Sequence, residues 1–183
     1  MLLKNNLVGK HVRISMDNEV LNVHYLSTGD DASGYPPIIL LHGSGPGACG
    51  GHSFSKNIDY LVDQGFRLIV LDWPGWGDSD SIVSRGSRAQ LNSRILQLVL
   101  EALNIVEPVS LIGSSMGAHS SAMFAIEFPA KVAKLVLVSG GSGSRALLQP
   151  SLTDGQQKII AFYREPTIER MRDLLRVVIF NHS

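Results

Sequence analysis

The fold is decided by one stretch, VSLIGSSMG at residues 109–117. A short apolar segment, Val109 to Ile112, leads into the pattern Gly-x-Ser-x-Gly, and a helical pattern follows from Met116 to Phe128. This order predicts a sharp turn between a strand and a helix, with Ser115 exposed at its tip. Glycines at both ends of the pattern allow a tight, strained turn and close packing. We therefore predict that Ser115 Oγ is a nucleophile, and the alternative is a Gly/Ser turn without chemistry.

Four short and largely apolar runs indicate strands of a parallel sheet that is covered on both faces. They lie at 38–41, 68–71, 109–112 and 135–138. Apolar residues at helical spacing lie between these runs, at 53–64, 88–103 and 116–128. Two β-rich segments come first, at 11–15 and 20–26, and two helical segments come last, at 153–162 and 167–180.

The alternation of strands and helices predicts an α/β fold with a mostly parallel sheet and flanking helices. We expect a core at residues 1–139. After residue 139 a Gly/Ser loop and two helices follow, so we interpret residues 140–183 as the start of a helical cap.

Composition argues against several classes of partner. Lys+Arg and Asp+Glu both number 16, so the formal net charge is zero and nothing favours nucleic acid or an anionic membrane. The single cysteine, Cys49, permits no intrachain disulfide, which is typical of a reducing compartment. No signal peptide or transmembrane segment is recognisable. We expect a cytoplasmic protein that acts on a small molecule, either as a monomer or as a homo-oligomer, without a cofactor or metal.

A second motif, HGSGPG at residues 42–47, directly follows the first apolar run and is called the glycine loop below. A loop of this kind at the carboxyl end of a strand can direct backbone N–H groups into the crevice above the sheet. Attack by Ser115 on a carbonyl places negative charge on the substrate oxygen, which requires two such donors. We assign these donors to the amides of Ser44 and Met116. His42 is interpreted as a structural histidine, with a catalytic role as the alternative.

Two further groups of polar residues allow more than one interpretation. Asp72, Asp78 and Asp80 lie in the segment DWPGWGDSD, where a turn with capping aspartates is favoured over a metal or acid–base site. His119 lies one helical turn after Ser115. His119 either lines the substrate pocket or packs within the protein. A role as the general base is the third alternative.

Together these motifs resemble the meta-cleavage-product hydrolases, which are C–C bond hydrolases of bacterial aromatic catabolism within the α/β-hydrolase superfamily. The resemblance is carried by HGSGPGA at 42–48, NID at 57–59, LDWPGWGDSD at 71–80, GSRAQLNSRIL at 86–96, GSSMGAHSS at 113–121 and REPTIE at 164–169. It implies hydrolysis of vinylogous 1,5-diketones. The dienol substrate tautomerises to a ketone, and water activated through a Ser–His–Asp system then cleaves the carbon–carbon bond.

The resemblance also implies roles for single residues. Ser115 becomes the nucleophile or the water-activating serine, and the amides of Ser44 and Met116 become the oxyanion hole. The candidate substrate-binding residues are Gly43, Ser114 and His119.

The chain departs from this family at several positions. Ser114 stands where the family has an asparagine, and Gly51 and Ser53 replace a Trp-x-Asn pair. Val178 stands where a cap aromatic overhangs the site. Each change removes a substrate contact, so a carboxylesterase or lactonase on the same scaffold remains an alternative. A catalytically dead remnant or a binding module is the third hypothesis.

The partners that Ser115 requires are not recognisable in this sequence. An acidic residue and a histidine base follow the nucleophile in this fold, and the resemblance implies that both lie beyond Ser183. His182 is interpreted as part of a frayed terminus. The apolar run at 135–138 would then form an unpaired edge, which is an aggregation hazard. We expect a C-terminally incomplete hydrolase with very low activity as the chain stands.

Overall fold

The computed structural model describes residues 7–28, 36–84, 86–140 and 152–178. The chain divides into two compact units, Met1–Ser142 and Gly143–Ser183. The predicted assignment of residues 1–139 to a core and 140–183 to the start of a cap stays a prediction.

Six strands of the first unit form one sheet. They are β1 (Val8–Met16), β2 (Glu19–Ser27), β3 (Ile38–Leu41), β4 (Leu68–Leu71), β5 (Val109–Ser114) and β6 (Val132–Val138). The order across the sheet is β1-β2-β4-β3-β5-β6, in which β1 and β2 are antiparallel to their neighbours and the other four strands are parallel. The predicted α/β fold with a mostly parallel sheet is confirmed.

The helices of the first unit are α1 (Gly50–Ser53), α2 (Ser55–Asp63), α3 (Arg88–Ala102) and α4 (Met116–Glu127). A 3-10 turn at Pro129–Lys131 leads into β6. The single helix predicted at 53–64 is wrong in one respect, because the helical segment begins at Gly50 and is interrupted at Phe54. Phe54 leaves the helical conformation and is buried beside Ile58 in the core under α2.

The two faces of the sheet are packed by different helices, because successive side chains of a strand point in opposite directions. Ile39 and Leu41 of β3 belong to a core that contains residues of α3 and α4. Leu40 lies between them in sequence and belongs to a second core with α2. Burial on both faces explains why β3 is wholly apolar instead of alternating.

The register brings the carboxyl ends of three strands together. Leu41 of β3 pairs with Leu71 of β4 on one side and with Gly113 of β5 on the other. The glycine loop, the segment at 72–80 and the turn at Ser115 therefore leave the sheet at the same edge. This edge carries the candidate site.

The second unit contains α5 (Asp154–Arg164) and α6 (Ile168–Val178), which pack against each other. Thr153 and Gln156 form a reciprocal capping box at the start of α5. The two predicted helices are confirmed within residues 152–178, whereas residues 179–180 and His182 lie outside the described part. The side chain of Val178 is also outside it.

None of the helices in the described ranges is long and apolar enough to cross a bilayer.

Candidate active site

Ser115 forms the tip of a strained turn between β5 and α4. Its backbone has φ 52° and ψ −114°, a combination that residues other than glycine rarely adopt. The Ser115 N–H donates to Val138 O at 2.9 Å, and Ser115 O accepts the His119 N–H at 3.1 Å. The side chain is exposed and makes no capping hydrogen bond to the helix. Its hydroxyl is therefore presented to solvent, as expected for a nucleophile.

The two glycines of the motif are required by close approach of the backbone. A Cβ at Gly117 would overlap the carbonyl oxygen of Leu41 in β3, and a Cβ at Gly113 would overlap the carbonyl of Gly117. Ser121 Oγ donates to that same Gly117 carbonyl at 2.7 Å. The pattern Gly-x-Ser-x-Gly thus packs α4 directly on the strand ends beneath Ser115.

The glycine loop runs beside Ser115. A Cβ placed on Gly43 would lie 3.0 Å from Ser115 Cβ and 3.6 Å from Ser115 Oγ. Ser44, the next residue, is exposed at the same edge. Met116 is the first residue of α4, so its N–H is one of those that a helix does not use internally. The assignment of Ser44 and Met116 as oxyanion donors stays a prediction with compatible geometry.

The two remaining predicted contacts lie on either side of this turn. Ser114 is the last residue of β5 and is half-buried. His119 lies on the first turn of α4 with an exposed side chain. Their roles as substrate contacts stay predictions.

His42 is held as a neutral histidine inside the fold. Its Nδ1 donates to the Gly43 carbonyl at 2.7 Å, because a carbonyl oxygen only accepts. Its Nε2 accepts the Trp73 N–H at 3.0 Å, and the residue has no exposed surface. Burial lowers the pKa of His42, while the hydrogen bond to Gly43 acts in the opposite direction. Both ring nitrogens are occupied, which favours the structural interpretation over a catalytic one.

Two tryptophans bind carbonyls of the glycine loop. Trp73 Nε1 donates to His42 O at 3.1 Å, and Trp76 Nε1 donates to Gly45 O at 3.2 Å. The Arg88 guanidinium lies over the Trp76 ring, 4.7 Å from its centroid. The sequence of this segment predicts only a turn, whereas its two tryptophans, three residues apart, both hold the glycine loop.

Asp72 links three segments at the site edge. Its Oδ1 accepts the Gly50 N–H at 2.6 Å, and its Oδ2 accepts from His24 Nδ1 at 2.8 Å and from the Asp78 N–H at 3.3 Å. Asp80 accepts from the backbone and side-chain nitrogens of Asn22, and these bonds lower the pKa of Asp80. Asp72 therefore caps the turn and Asp80 ties its end to β2, which favours the turn interpretation over a metal or acid–base site.

The buried pair of His24 and Asp72 resembles two members of a catalytic triad but lies too far from Ser115. His24 is on β2, and Ser115 follows β5, three positions away across the sheet. At the usual spacing of strands this separation is about 14 Å. The pair therefore fixes the turn and does not serve the nucleophile. Among the described residues, no group of three His, Cys, Asp or Glu side chains fits a metal ion.

A buried relay supports the first turn of α4. Asn92 Nδ2 donates to Ser120 Oγ at 3.0 Å, and Ser120 Oγ donates to Met116 O at 2.8 Å. Asn92 and Ser120 both have no exposed surface. The relay fixes the peptide next to the proposed Met116 donor. Asn92 lies in the motif GSRAQLNSRIL, from which no role for it is predictable, because its partner Ser120 is 28 residues away in the chain.

A family model described as the alpha/beta hydrolase fold matches residues 36–171. The 2-hydroxy-6-oxononadienedioate/2-hydroxy-6-oxononatrienedioate hydrolase of Escherichia coli strain HS is 44% identical over 174 residues. The alignment covers 95% of this chain and 59% of that protein, so the chain spans about three-fifths of the length of the curated relatives it matches.

Two solved structures are similar in fold. The 2-hydroxy-6-oxo-6-phenylhexa-2,4-dienoate hydrolase of Rhodococcus sp. strain RHA1 has a TM-score of 0.69 and 23% identity, covering 93% of this chain and 59% of that one. A meta-cleavage product hydrolase of Pseudomonas fluorescens IP01 has a TM-score of 0.68 and 23% identity, covering 93% and 56%. The family model spans well over half of the sequence, and the observed, mostly parallel sheet with flanking helices agrees with it. The chain therefore belongs to the alpha/beta hydrolase fold family.

Proposed function

We propose that this chain supplies the nucleophile and the oxyanion site of a serine-dependent hydrolase that cleaves a carbon–carbon bond. Its substrate class is a vinylogous diketone of the 2-hydroxy-6-oxo-dienoate type. Similarity to a 2-hydroxy-6-oxononadienedioate hydrolase, at 44% identity over 95% of the chain, supports this class. Because the chain spans 59% of that relative, the activity of the whole enzyme is part of the proposal.

One observation carries the proposal: the exposed Ser115 hydroxyl on a strained turn beside Gly43. The strain amounts to about 1–3 kcal/mol, and such strain persists only where the surrounding structure enforces it. Packing at Gly113 and Gly117 enforces it here. A turn without chemistry would not require an exposed serine in this conformation.

The reaction consumes one water and needs no further reactant. Ser115 Oγ, or a water that it activates, adds to the keto carbon, and its proton passes to a general base. The carbonyl electrons move to the oxygen, where the amides of Ser44 and Met116 donate hydrogen bonds to the oxyanion. When the carbonyl re-forms, the carbon–carbon bond breaks and its electron pair passes to the dienolate fragment. That fragment takes up a proton. Where Ser115 Oγ has added, water then hydrolyses the acyl-serine ester and the serine oxygen regains a proton; where water has added, the acid forms directly. By either route the acyl fragment ends as a carboxylic acid.

A fluorophosphonate probe tests the nucleophile directly. We expect slow covalent labelling of the purified chain at Ser115, because no general base for this serine is recognisable in the sequence. Peptide mass spectrometry identifies the site, and labelling should be lost in Ser115→Ala. Ser110→Ala, in the strand β5 that leads to Ser115, is the matched control and should label like the parent. Labelling at another serine, or none at all, contradicts the proposal and favours a catalytically dead remnant or a binding module.

A carboxylesterase or lactonase is the second candidate, because Ser114 replaces the asparagine expected from the resemblance. Loss of that contact weakens recognition of a dienoate more than recognition of a simple ester. Comparing kcat/KM for a nitrophenyl ester and for a ring-fission dienoate separates the two functions. Higher kcat/KM for the ester would favour this candidate.

We further propose a cytoplasmic protein that acts on a small molecule without nucleic acid or membrane as partner. The zero formal net charge and the single cysteine support this assignment. A homo-oligomer is the expected assembly if one forms, and size-exclusion chromatography with light scattering measures it.

A further inference from the structure

The glycine loop is held by hydrogen bonds to its carbonyl groups. Gly45 O accepts from Trp76 Nε1 at 3.2 Å and from the Ala48 N–H at 3.1 Å. His42 O accepts from Trp73 Nε1 at 3.1 Å. These bonds fix the peptides 42–43 and 45–46, each one peptide away from those that flank Ser44. The peptide that carries the Ser44 N–H is held through Gly43 O, which accepts from His42 Nδ1 at 2.7 Å.

Arg88 fixes the indole that makes one of these bonds. Its guanidinium lies over the Trp76 ring at 4.7 Å, and its Nη2 donates to the carbonyl of Pro74 in the same turn. A guanidinium over an indole is the strongest cation–π arrangement available to an arginine side chain. Arg88 thus holds the Trp76 ring from one side, while Gly45 O holds its N–H.

The placement of Arg88 is not explained by charge pairing in the contacts described for it. Its Nε is buried and has no hydrogen-bond partner among the described residues. An arginine that served only solubility would keep this group in water, because a buried unpaired donor is unfavourable. The position is instead explained by what it does for Trp76.

We propose that Arg88 is a positioning residue for the oxyanion site. It orients Trp76, Trp76 orients the Gly45 carbonyl, and the glycine loop then presents the Ser44 amide toward Ser115. The inference rests on the proposed function, since it assigns a purpose to the loop that the proposed reaction uses. It adds a residue that acts on the oxyanion through two others and touches no substrate.

The single cysteine gives a direct measure of this arrangement. Cys49 lies two residues after the glycine loop, immediately before α1, and is half-buried. Its reaction rate with Ellman's reagent reports how often the loop opens, independently of any activity.

The variants are Arg88→Met, which keeps the length but removes the planar charge, and Trp76→Phe, which keeps a ring but removes the N–H. Arg94→Met is the control, because Arg94 lies on the same helix and pairs with Asp17.

We expect Cys49 to react about fivefold faster in Arg88→Met and in Trp76→Phe, the factor that corresponds to loss of one hydrogen bond. Arg94→Met should react like the parent. Fluorophosphonate labelling of Ser115 should slow in the first two variants, with kcat reduced for an ester and KM within about twofold. Arg88→Lys keeps the charge but cannot stack a planar group on the Trp76 ring. Its Cys49 reaction rate should therefore lie between those of Arg88→Met and the parent.

Two outcomes are distinguished by this design. If the parent is not labelled at Ser115, the proposed function fails, and the Cys49 rates still decide whether Arg88 holds the loop. If Cys49 reacts at the parent rate in Arg88→Met, the positioning role is overturned whatever the labelling shows. If Arg88→Met does not fold by circular dichroism, Trp76→Phe and Arg88→Lys provide the same comparison.

Discussion

Ser115 has a backbone conformation that the packing of its neighbours imposes. Gly117 carries much of this constraint, because its Cα lies against the Leu41 carbonyl of β3. A methyl group at Gly117 would have no space. It would clash with the main chain of β3, which, unlike a side chain, cannot rotate out of the way. The side-chain chemistry of the site therefore depends on a residue that has no side chain.

Gly117→Ala should destabilise the protein by more than about 3 kcal/mol, because α4 must move off the sheet or the turn must change. Gly45→Ala is the matched control, since a Cβ at Gly45 meets nothing within 4 Å. It should change the free energy of unfolding by less than about 0.5 kcal/mol. Urea denaturation monitored by circular dichroism measures both. Equal stability of the two variants would show that the turn tolerates a Cβ.

His42 makes the free energy of unfolding depend on pH. Because the folded protein holds this histidine neutral, the protein is less stable at low pH. Burial lowers the pKa of His42 below the value of 6.5 that it has when unfolded. Below pH 6.5 the unfolded chain therefore binds a proton that the folded chain does not. Full stability from this residue is present above pH 6.5, and it is lost as the pH falls toward the folded pKa, by at most about 1.4 kcal/mol per pH unit.

Urea midpoints at pH 7.5 and pH 5.5 measure this loss. His42→Gln replaces the ring by a neutral amide, so the change between the two pH values should shrink relative to the parent. His52→Gln is the control, because His52 is exposed on α1 and its replacement should leave the change intact. A parent-like pH dependence in His42→Gln would exclude His42 as its source.

The residues that the sequence made predictable were those whose partners are near in the chain. Ser115 and its two glycines form one local pattern, and the pattern carries its own structural meaning. His24 and Asp72 are 48 residues apart, and Trp73 and His42 are 31 apart. Such pairs become neighbours only through the strand order, in which β4 lies between β2 and β3. The periodicity of apolar residues does not reveal the order of the strands across the sheet.

At the scale of elements, the strand and helix positions followed from apolar periodicity, and their ends did not. β6 begins at Val132, three residues before the apolar run that predicted it, because the 3-10 turn at Pro129–Lys131 delivers the chain directly into pairing with β5. The interruption at Phe54 was also missed. Its cause is the tertiary burial of one ring, which outweighs a continuous helical pattern.

The contact between α3 and α4 depends on the relay from Asn92 through Ser120 to Met116. Asn92→Leu removes the donor to Ser120 Oγ and should destabilise the protein by about 1–3 kcal/mol, because buried polar groups then lose a partner. Asn57→Leu is the control on the exposed face of α2 and should be nearly neutral. Urea denaturation gives both values.

The relay also touches the proposed oxyanion donor. If Asn92 supports only helix packing, the fluorophosphonate will label Ser115 in the folded Asn92→Leu variant at the same rate as in the parent. If it also fixes the Met116 peptide, labelling will slow under conditions where the variant remains folded. The two readouts separate stability from positioning.

At the scale of the whole molecule, the sheet is asymmetric in the described residues. The central strands are buried on both faces, whereas β6 pairs with β5 alone in the described part of the chain. Four consecutive apolar residues of β6, from Leu135 to Val138, are 37–48% exposed. Natural sheets usually place charges or bulges on such a strand. An exposed, apolar, extended strand presents unpaired backbone groups to other chains.

Val136→Lys should therefore reduce concentration-dependent self-association of the purified chain. Val136 lies two residues from Lys134 on the same face of β6, so the substitution places two like charges along the edge. Pairing with a second copy would then bring these charges close to one another, which disfavours the pairing. Dynamic light scattering across a concentration series, at low salt and at high salt, measures the effect. High salt should restore part of the association in the variant, because it screens the added charge.

Val106→Lys provides the control for charge alone. Val106 is 78% exposed and precedes β5 outside any strand, so its substitution adds the same charge without changing the edge. If self-association proceeds through β6, only Val136→Lys will lower it, and Val106→Lys will behave like the parent. Equal reduction by both substitutions would mean that net charge governs association, because the formal charge of the parent is zero. No reduction by either would place the contact elsewhere on the protein and leave β6 without a part in it.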